Sequence, residues 1–159
     1  MLKLRPLNVE DAQLLADWGM DDDFRVAADW ANRGRDQHLR FHQDLIASIS
    51  DDPHRLAVID GDQLVGYVDF TPDGSGSCEL GIAIGPSDRW GRHLGRDAIL
   101  LAAEHAKRHF AADQVWARTH ITNTAARRML VAAGFVEAGP CGTEEYQGQP
   151  VALVSYQLR

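Results

Sequence analysis

The chain has 159 residues, 45% of them hydrophobic and 25% charged, with a net charge of −7 at neutral pH. That length suits one domain, residues 1–159, with a proper core, and the composition is that of an ordinary soluble globular protein. The acidity argues against a nucleic-acid partner, which needs a basic face, and with neither a long apolar run nor a signal-peptide core no membrane partner is expected.

Leu2–Pro6 alternates apolar and basic residues, which predicts a strand with one buried face. Asn8 can cap the next helix with Asp11 closing a short capping box, Leu14, Leu15 and Trp18 give that helix its apolar side, and Gly19 ends it. Asp21-Asp22-Asp23 opens a less regular stretch to about Arg35 that holds Phe24, Asp29 and Trp30. Asp36–Ser50 reads as a second helix with Leu39, Leu45, Ile46 and Ile49 on one side, broken by Asp51-Asp52-Pro53. Three antiparallel strands are then expected: His54–Asp60, Gln63–Thr71 and Cys78–Ile84. Asp60-Gly61-Asp62 and Pro72–Gly76 supply the turns, and Gly85-Pro86 ends the third strand.

Between Ile84 and the following helix lies Asp88-Arg89-Trp90-Gly91-Arg92-His93-Leu94-Gly95-Arg96. From Leu94 apolar residues recur at helical spacing through Phe110. Gly91 and Gly95 are expected to let the backbone turn tightly and approach a ligand. Free N–H groups at the helix start, with Arg89, Arg92 and Arg96 beside them, make a site for a pyrophosphate. Gln114–His120 is a strand, Asn123–Ala133 a helix closed by Gly134, Phe135–Ala138 the start of a strand, and Val151–Leu158 a last strand. The order β-α-α-β-β-β-α-β-α-β-β is an α+β arrangement.

The two cysteines, Cys78 and Cys141, fit no metal or CxxC pattern and read as free thiols in a cytoplasmic protein. The seven histidines form no ligand motif, and His105 and His109, four apart on one helix, read as a solvated face. No metal is expected.

A P-loop is absent, and Gly91-x-x-x-Gly95 does not supply the three glycines of a Rossmann fingerprint. What remains resembles motif A of the GNAT superfamily, the acetyl-CoA-dependent N-acetyltransferases, whose loop reads [Q/R]-x-x-G-x-[G/A]. Trp90-Gly91-Arg92-His93-Leu94-Gly95 is similar to the W-G-[K/R]-G variant of the RimJ/RimL-like, ribosomal-protein branch, with His93 where the family has glycine. Leu4–Ala12 resembles that branch's opening strand and helix, and Asn123–Leu130 followed by Gly134-Phe135 resembles motif B.

The resemblance implies a GNAT fold, with a mixed sheet of six to seven strands, about four helices and splayed central strands. It implies acetyl-CoA as co-substrate, an amine acceptor (small molecule or protein N-terminus), and last strands that in the family often form a homodimer. Backbone amides at Ile82, Ala83 and Ile84 would hold pantetheine, Trp90 to Arg96 the pyrophosphate, and Asn123 pantetheine or an ordered water. The family's motif-B tyrosine falls at Leu130, and an aspartate frequent in the branch falls at Ala152.

Transfer to an amine needs a base, because an ammonium has no lone pair. Glu79 is the first candidate, on the strand face opposite Leu80, Ile82 and Ile84. A turn symmetric about Gly74 would set Asp69 opposite it, and two facing carboxylates raise one pKa. His120 is the second candidate. A non-catalytic acyl-CoA-binding module of the same fold is the alternative function, and an unrelated α+β domain the remaining one.

Overall fold

Residues 1–49 and 54–158 are described by the computed structural model. The elements are β1 (Leu2–Pro6), α1 (Asp11–Gly19), α2 (Asp22–Ala27), α3 (Arg35–Ile49), β2 (Arg55–Asp60), β3 (Gln63–Pro72), β4 (Ser77–Ile84), α4 (Leu94–His109), β5 (Gln114–His120), α5 (Thr124–Ala132), β6 (Phe135–Tyr146) and β7 (Gln149–Leu158). A single 3-10 turn, Ser87–Arg89, separates β4 from α4. The expected break at Asp51-Asp52-Pro53, and Ser50 before it, lie outside the described residues.

The strands form one mixed sheet in the order β1-β2-β3-β4-β5-β7-β6, antiparallel except for β4 against β5. Side chains alternate across it. Leu56, Val58, Val68, Phe70, Cys78, Leu80, Val115 and Ala117 pack under α4 and α5. Ala57, Ile59, Leu64 and Tyr67 pack on the other face against Leu15, Trp18, Phe24 and Ile46 of α1–α3.

The N-terminal box forms one turn ahead of α1. Asp11 N–H donates to Asn8 Oδ1 at 3.2 Å, Asn8 N–H donates to Asp11 Oδ2 at 2.9 Å, and Arg5 grips the same carboxylate with two bonds of 2.8 Å.

Three local readings change. The stretch after Asp21 opens with a short helix, α2, which brings the helices to five. Asp21 caps it, accepting from Phe24 N–H at 3.3 Å, and also accepts from Ser87 N–H at 2.7 Å and Ser87 Oγ at 3.0 Å. Helix α3 buries His38, His42 and Ile46, whereas Leu45 is only half-buried. The His38 ring fills the space beside Gly19, where a Cβ would stand 2.5 Å away. Strand β6, expected to start over Phe135–Ala138, runs on to Tyr146. Gly139, Pro140 and Gly142 break its alternation in sequence, and register shifts fall between Glu137 and Gly139 and between Pro140 and Thr143. Gln147 and Gly148, with φ of 53° and 75°, make the tight turn into β7.

Candidate active site

β4 and β5 pair only at Ser77–Gln114, Cys78–Val115 and Glu79–Trp116. Beyond that point they part, and β5 continues along β7 to His120. This is the splay expected of the central strands. Gly85 N–H donates to Val65 O of β3 at 3.0 Å, and Ser77 O accepts from Asp73 N–H at 3.0 Å. Strand alternation therefore turns the amides of Leu80, Ile82 and Ile84 away from β3, into the gap. The Ile84 carbonyl accepts from Trp90 Nε1 at 2.8 Å, which ties the loop to the end of the strand.

The loop reaches α4 through two left-handed residues, Gly91 at φ 83° and His93 at φ 64°. A glycine adopts this conformation freely, while a histidine is strained in it. His93 makes no side-chain cap, and the first backbone bond of α4 runs from Asp97 N–H to His93 O at 3.1 Å. The amides of Leu94, Gly95 and Arg96 are thus free to receive an anion, and they fit the pyrophosphate of a nucleotide. Gly95 is not a turn residue, since its φ is ordinary. A Cβ there would lie 3.5 Å from both Ile82 and Met129, an ordinary van der Waals contact between α4, β4 and α5. Arg89 is not a phosphate ligand. It donates to Gly85 O at 2.8 Å, Leu64 O at 3.1 Å and Gln63 Oε1 at 3.3 Å, bracing the loop from behind. Arg96 pairs with Asp97 at 3.0 Å. Arg92 is exposed and has no side-chain partner among the described residues.

A cleft of about 340 Å3 occupies the gap on the α2 side, lined by Asp29, Glu79, Gly81, Ile82, Arg118, His120, Asn123, Met129, Leu130, Glu144 and Tyr146 among others. It brings Glu79, Ile82, His120 and Asn123 together. Asp69 is not among them, and the expected Asp69–Glu79 pair does not form. The turn is offset, so Asp69 stands opposite Gly81 and Glu79 opposite Thr71. Each carboxylate has an arginine instead. Arg55 grips Asp69 with bonds of 2.5 and 2.7 Å, and Arg118 holds Glu79 at 2.8 Å. Asn123 is the cap of α5, accepting from Ala126 N–H at 3.0 Å.

The sequence does not mark Arg118 or Glu144, and it leaves Tyr146 unranked beside Tyr67 and Tyr156. His120 Nε2 meets Glu144 Oε1 at 2.5 Å, and the Tyr146 ring packs edge-on against His120 with centroids 4.5 Å apart. The Tyr146 hydroxyl donates to the Val26 carbonyl, and Gln147 Nε2 donates to Asp29 Oδ1 at 3.2 Å, so the β6–β7 hairpin clasps α2 over the cleft. Tyr67 points among Trp30 and Arg55 instead, and Tyr156 is buried against Arg127. A larger groove of about 690 Å3 runs between Met1, α4 and Leu158, and none of the candidate catalytic residues lines it. Among the described residues no group of three or more His, Cys, Asp and Glu side chains is placed to hold a metal ion, and no helix is long and apolar enough to cross a membrane.

The family model described as acetyltransferase (GNAT) domain matches residues 1–136. The chain belongs to the GNAT acetyltransferase family. Solved structures with the same fold include a GNAT-family acetyltransferase from Bacillus anthracis, 15% identical with a TM-score of 0.81 over 99% of this chain and 93% of that one. They also include the spermidine N-acetyltransferase from Vibrio cholerae in complex with CoA and spermine, 20% identical with a TM-score of 0.78 over 99% and 94%. An aminoglycoside acetyltransferase in complex with coenzyme A and kanamycin is 15% identical with a TM-score of 0.71 over 98% and 94%. No curated protein sequence matches. The GNAT match ends at Val136, so Glu144 and Tyr146 of the cleft lie beyond it.

Proposed function

We propose that this GNAT protein is a single-domain, cytoplasmic N-acetyltransferase of the RimJ/RimL-like branch that moves the acetyl group of acetyl-CoA to a primary amine by direct attack in a ternary complex. The observation that carries this is the continuity of the parted β4–β5 gap with the uncapped start of α4 at one end and the cleft holding Glu79 and His120 at the other. In this reading the amides of Leu94, Gly95 and Arg96 hold the pyrophosphate, with Arg92 adding charge and Trp90 and His93 shaping the loop. The gap-facing amides of β4 hold pantetheine and polarise the thioester carbonyl, and Asn123 borders the same path. Glu79 and His120 are the cleft groups that would take the ammonium's proton. Leu130 leaves α5 without the family's tyrosine, and among the described tyrosines it is Tyr146 that lines the cleft. The volume of the cleft favours a small amine, and two structural neighbours are complexes with CoA and spermine and with coenzyme A and kanamycin.

The test is an acetyl-CoA titration by calorimetry on the wild type and on Gly95→Trp, followed by a thiol-release assay with spermine, kanamycin and an alanine-terminated peptide. Binding lost in Gly95→Trp, together with turnover on one of these amines, supports the reading. Tight binding with no transfer to any of them would instead make the protein an acyl-CoA-binding module, and no binding would remove both.

A further inference from the structure

We infer that Glu144 is the positioning residue that makes His120 the proton acceptor of the transfer, an inference that rests on the acyltransferase reading above. The placement is a consequence of register. His120 at the end of β5 stands opposite Leu153 of β7, and Val151, two residues away on the same face, stands opposite Glu144 of β6. Glu144 therefore reaches His120 diagonally across β7. It does so because of the second bulge: from Pro140–Val154 to Thr143–Ala152, β6 advances three residues while β7 advances two. One extra residue turns Glu144 and Tyr146 onto the cleft face, and without it both would point the other way.

The chemistry follows from the contact. A carboxylate only accepts, so a neutral His120 holding a 2.5 Å bond to Glu144 must carry its hydrogen on Nε2. The lone pair is then on Nδ1, which has no hydrogen-bond partner among the described residues. Tyr146 packs edge-on against the imidazole at 4.5 Å and fixes its plane. The other cleft carboxylates are engaged, Glu79 by Arg118 and Asp29 by Gln147. In the reaction Nδ1 takes one proton from the ammonium, and Glu144 stabilises the imidazolium so formed. The freed nitrogen pair forms the C–N bond. Collapse breaks the C–S bond with its electron pair leaving on sulfur. The new amide sheds its second proton, the thiolate takes one up, and one proton passes to solvent for each amide and free CoA thiol made.

The test combines turnover with a spectroscopic signature. In 15N-histidine spectra at about pH 8, above the ordinary range of histidine titration, wild-type His120 (assigned with His120→Gln) should show the Nε2–H tautomer alone. Glu144→Ala should show a mixture. With the amines of the panel above, His120→Gln should lower kcat by about 10²-fold or more and Glu144→Ala by about 10-fold, both with an unchanged KM for acetyl-CoA, and Glu144→Asp should recover part of the loss. Wild-type kcat in Glu144→Ala, or a loss of turnover with the tautomer unchanged, would overturn the inference alone. A wild type that transfers to none of the amines would overturn the acyltransferase reading and this inference with it.

Discussion

Mild acid should loosen the helix layer that walls the acceptor cleft, and the cause is a pair of buried histidines in α3. His38 and His42 are 0% and 3% exposed, and Nδ1 and Nε2 of His38 and Nε2 of His42 have no hydrogen-bond partner among the described residues. Burial, followed by the nearby His38, Arg55 and Arg33, pushes His42 from 6.5 down to about 4. Burial with Arg33 and Arg25 pushes His38 down as well. The unfolded chain takes up a proton near 6.5 and the folded chain cannot until about 4. The stability contributed by neutral His42 is therefore intact above about pH 6.5 and is lost progressively as the pH falls to about 4. At 1.36 kcal/mol per unit, the 1.5 units between 6.5 and 5 remove about 2 kcal/mol, out of a total of roughly 5–15 for a domain. His38 adds a loss of the same sign. The perturbation is His42→Phe, which keeps a ring against Trp30, now 4.6 Å away, and removes the orphaned Nε2. Urea unfolding at pH 7.5 should place the variant within about 1 kcal/mol of the wild type. At pH 5 the variant should be the more stable by about 2 kcal/mol. Equal losses in the two proteins between these pH values would refute the reasoning. Trp30 adjoins Asp29 of the cleft, so acceptor turnover should decline before acetyl-CoA binding does.

Other outcomes follow from the loop and its supports. His93→Gly should relieve the left-handed strain and raise stability by up to about 1 kcal/mol, read by thermal melting, because glycine's own backbone entropy offsets part of the gain. Arg89→Met should cost about 1–3 kcal/mol by leaving the Gly85 and Leu64 carbonyls short of a donor, whereas Arg92→Ala should leave the melt unchanged and weaken acetyl-CoA in calorimetry. Gly19→Ala should cost about 1–3 kcal/mol in urea, since its Cβ would enter the His38 ring. Full stability in Gly19→Ala would mean that α1 and α3 can separate freely.

Much of this fold is legible because period and punctuation agree. Leu2–Pro6 and Gln114–His120 form strands with the bounds expected of them, and Asp60-Gly61-Asp62 and Gly134 stop elements where their backbone demands. Polar residues that behave as core are where legibility ends. His38 and His42 carry the buried stripe of α3, and a pattern that counts histidine as polar hands that stripe to Leu45. Register is the other limit. Asp69 and Glu79 share a strand face, but their pairing hangs on where a five-residue turn places its bend, and an offset of one residue on each strand gives each carboxylate a different partner.

The two halves of the candidate site differ in the same way, and for a physical reason. The nucleotide half is contiguous chain: strand end, glycine–arginine loop and helix start follow one another within Ile84–Arg96, so local composition alone announces an anion site. The acceptor half is assembled across strands, with His120 on β5, Glu144 and Tyr146 on β6 and Asp29 after α2. Nothing local in Thr143-Glu144-Glu145-Tyr146 distinguishes the glutamate that reaches His120 from its neighbour, which points to the other face. The single extra residue between Pro140 and Thr143 decides between them. Deleting or adding one residue in that bulge should therefore exchange Glu144 for Glu145 at the cleft while leaving the nucleotide half untouched, so acceptor turnover should be lost with acetyl-CoA binding retained.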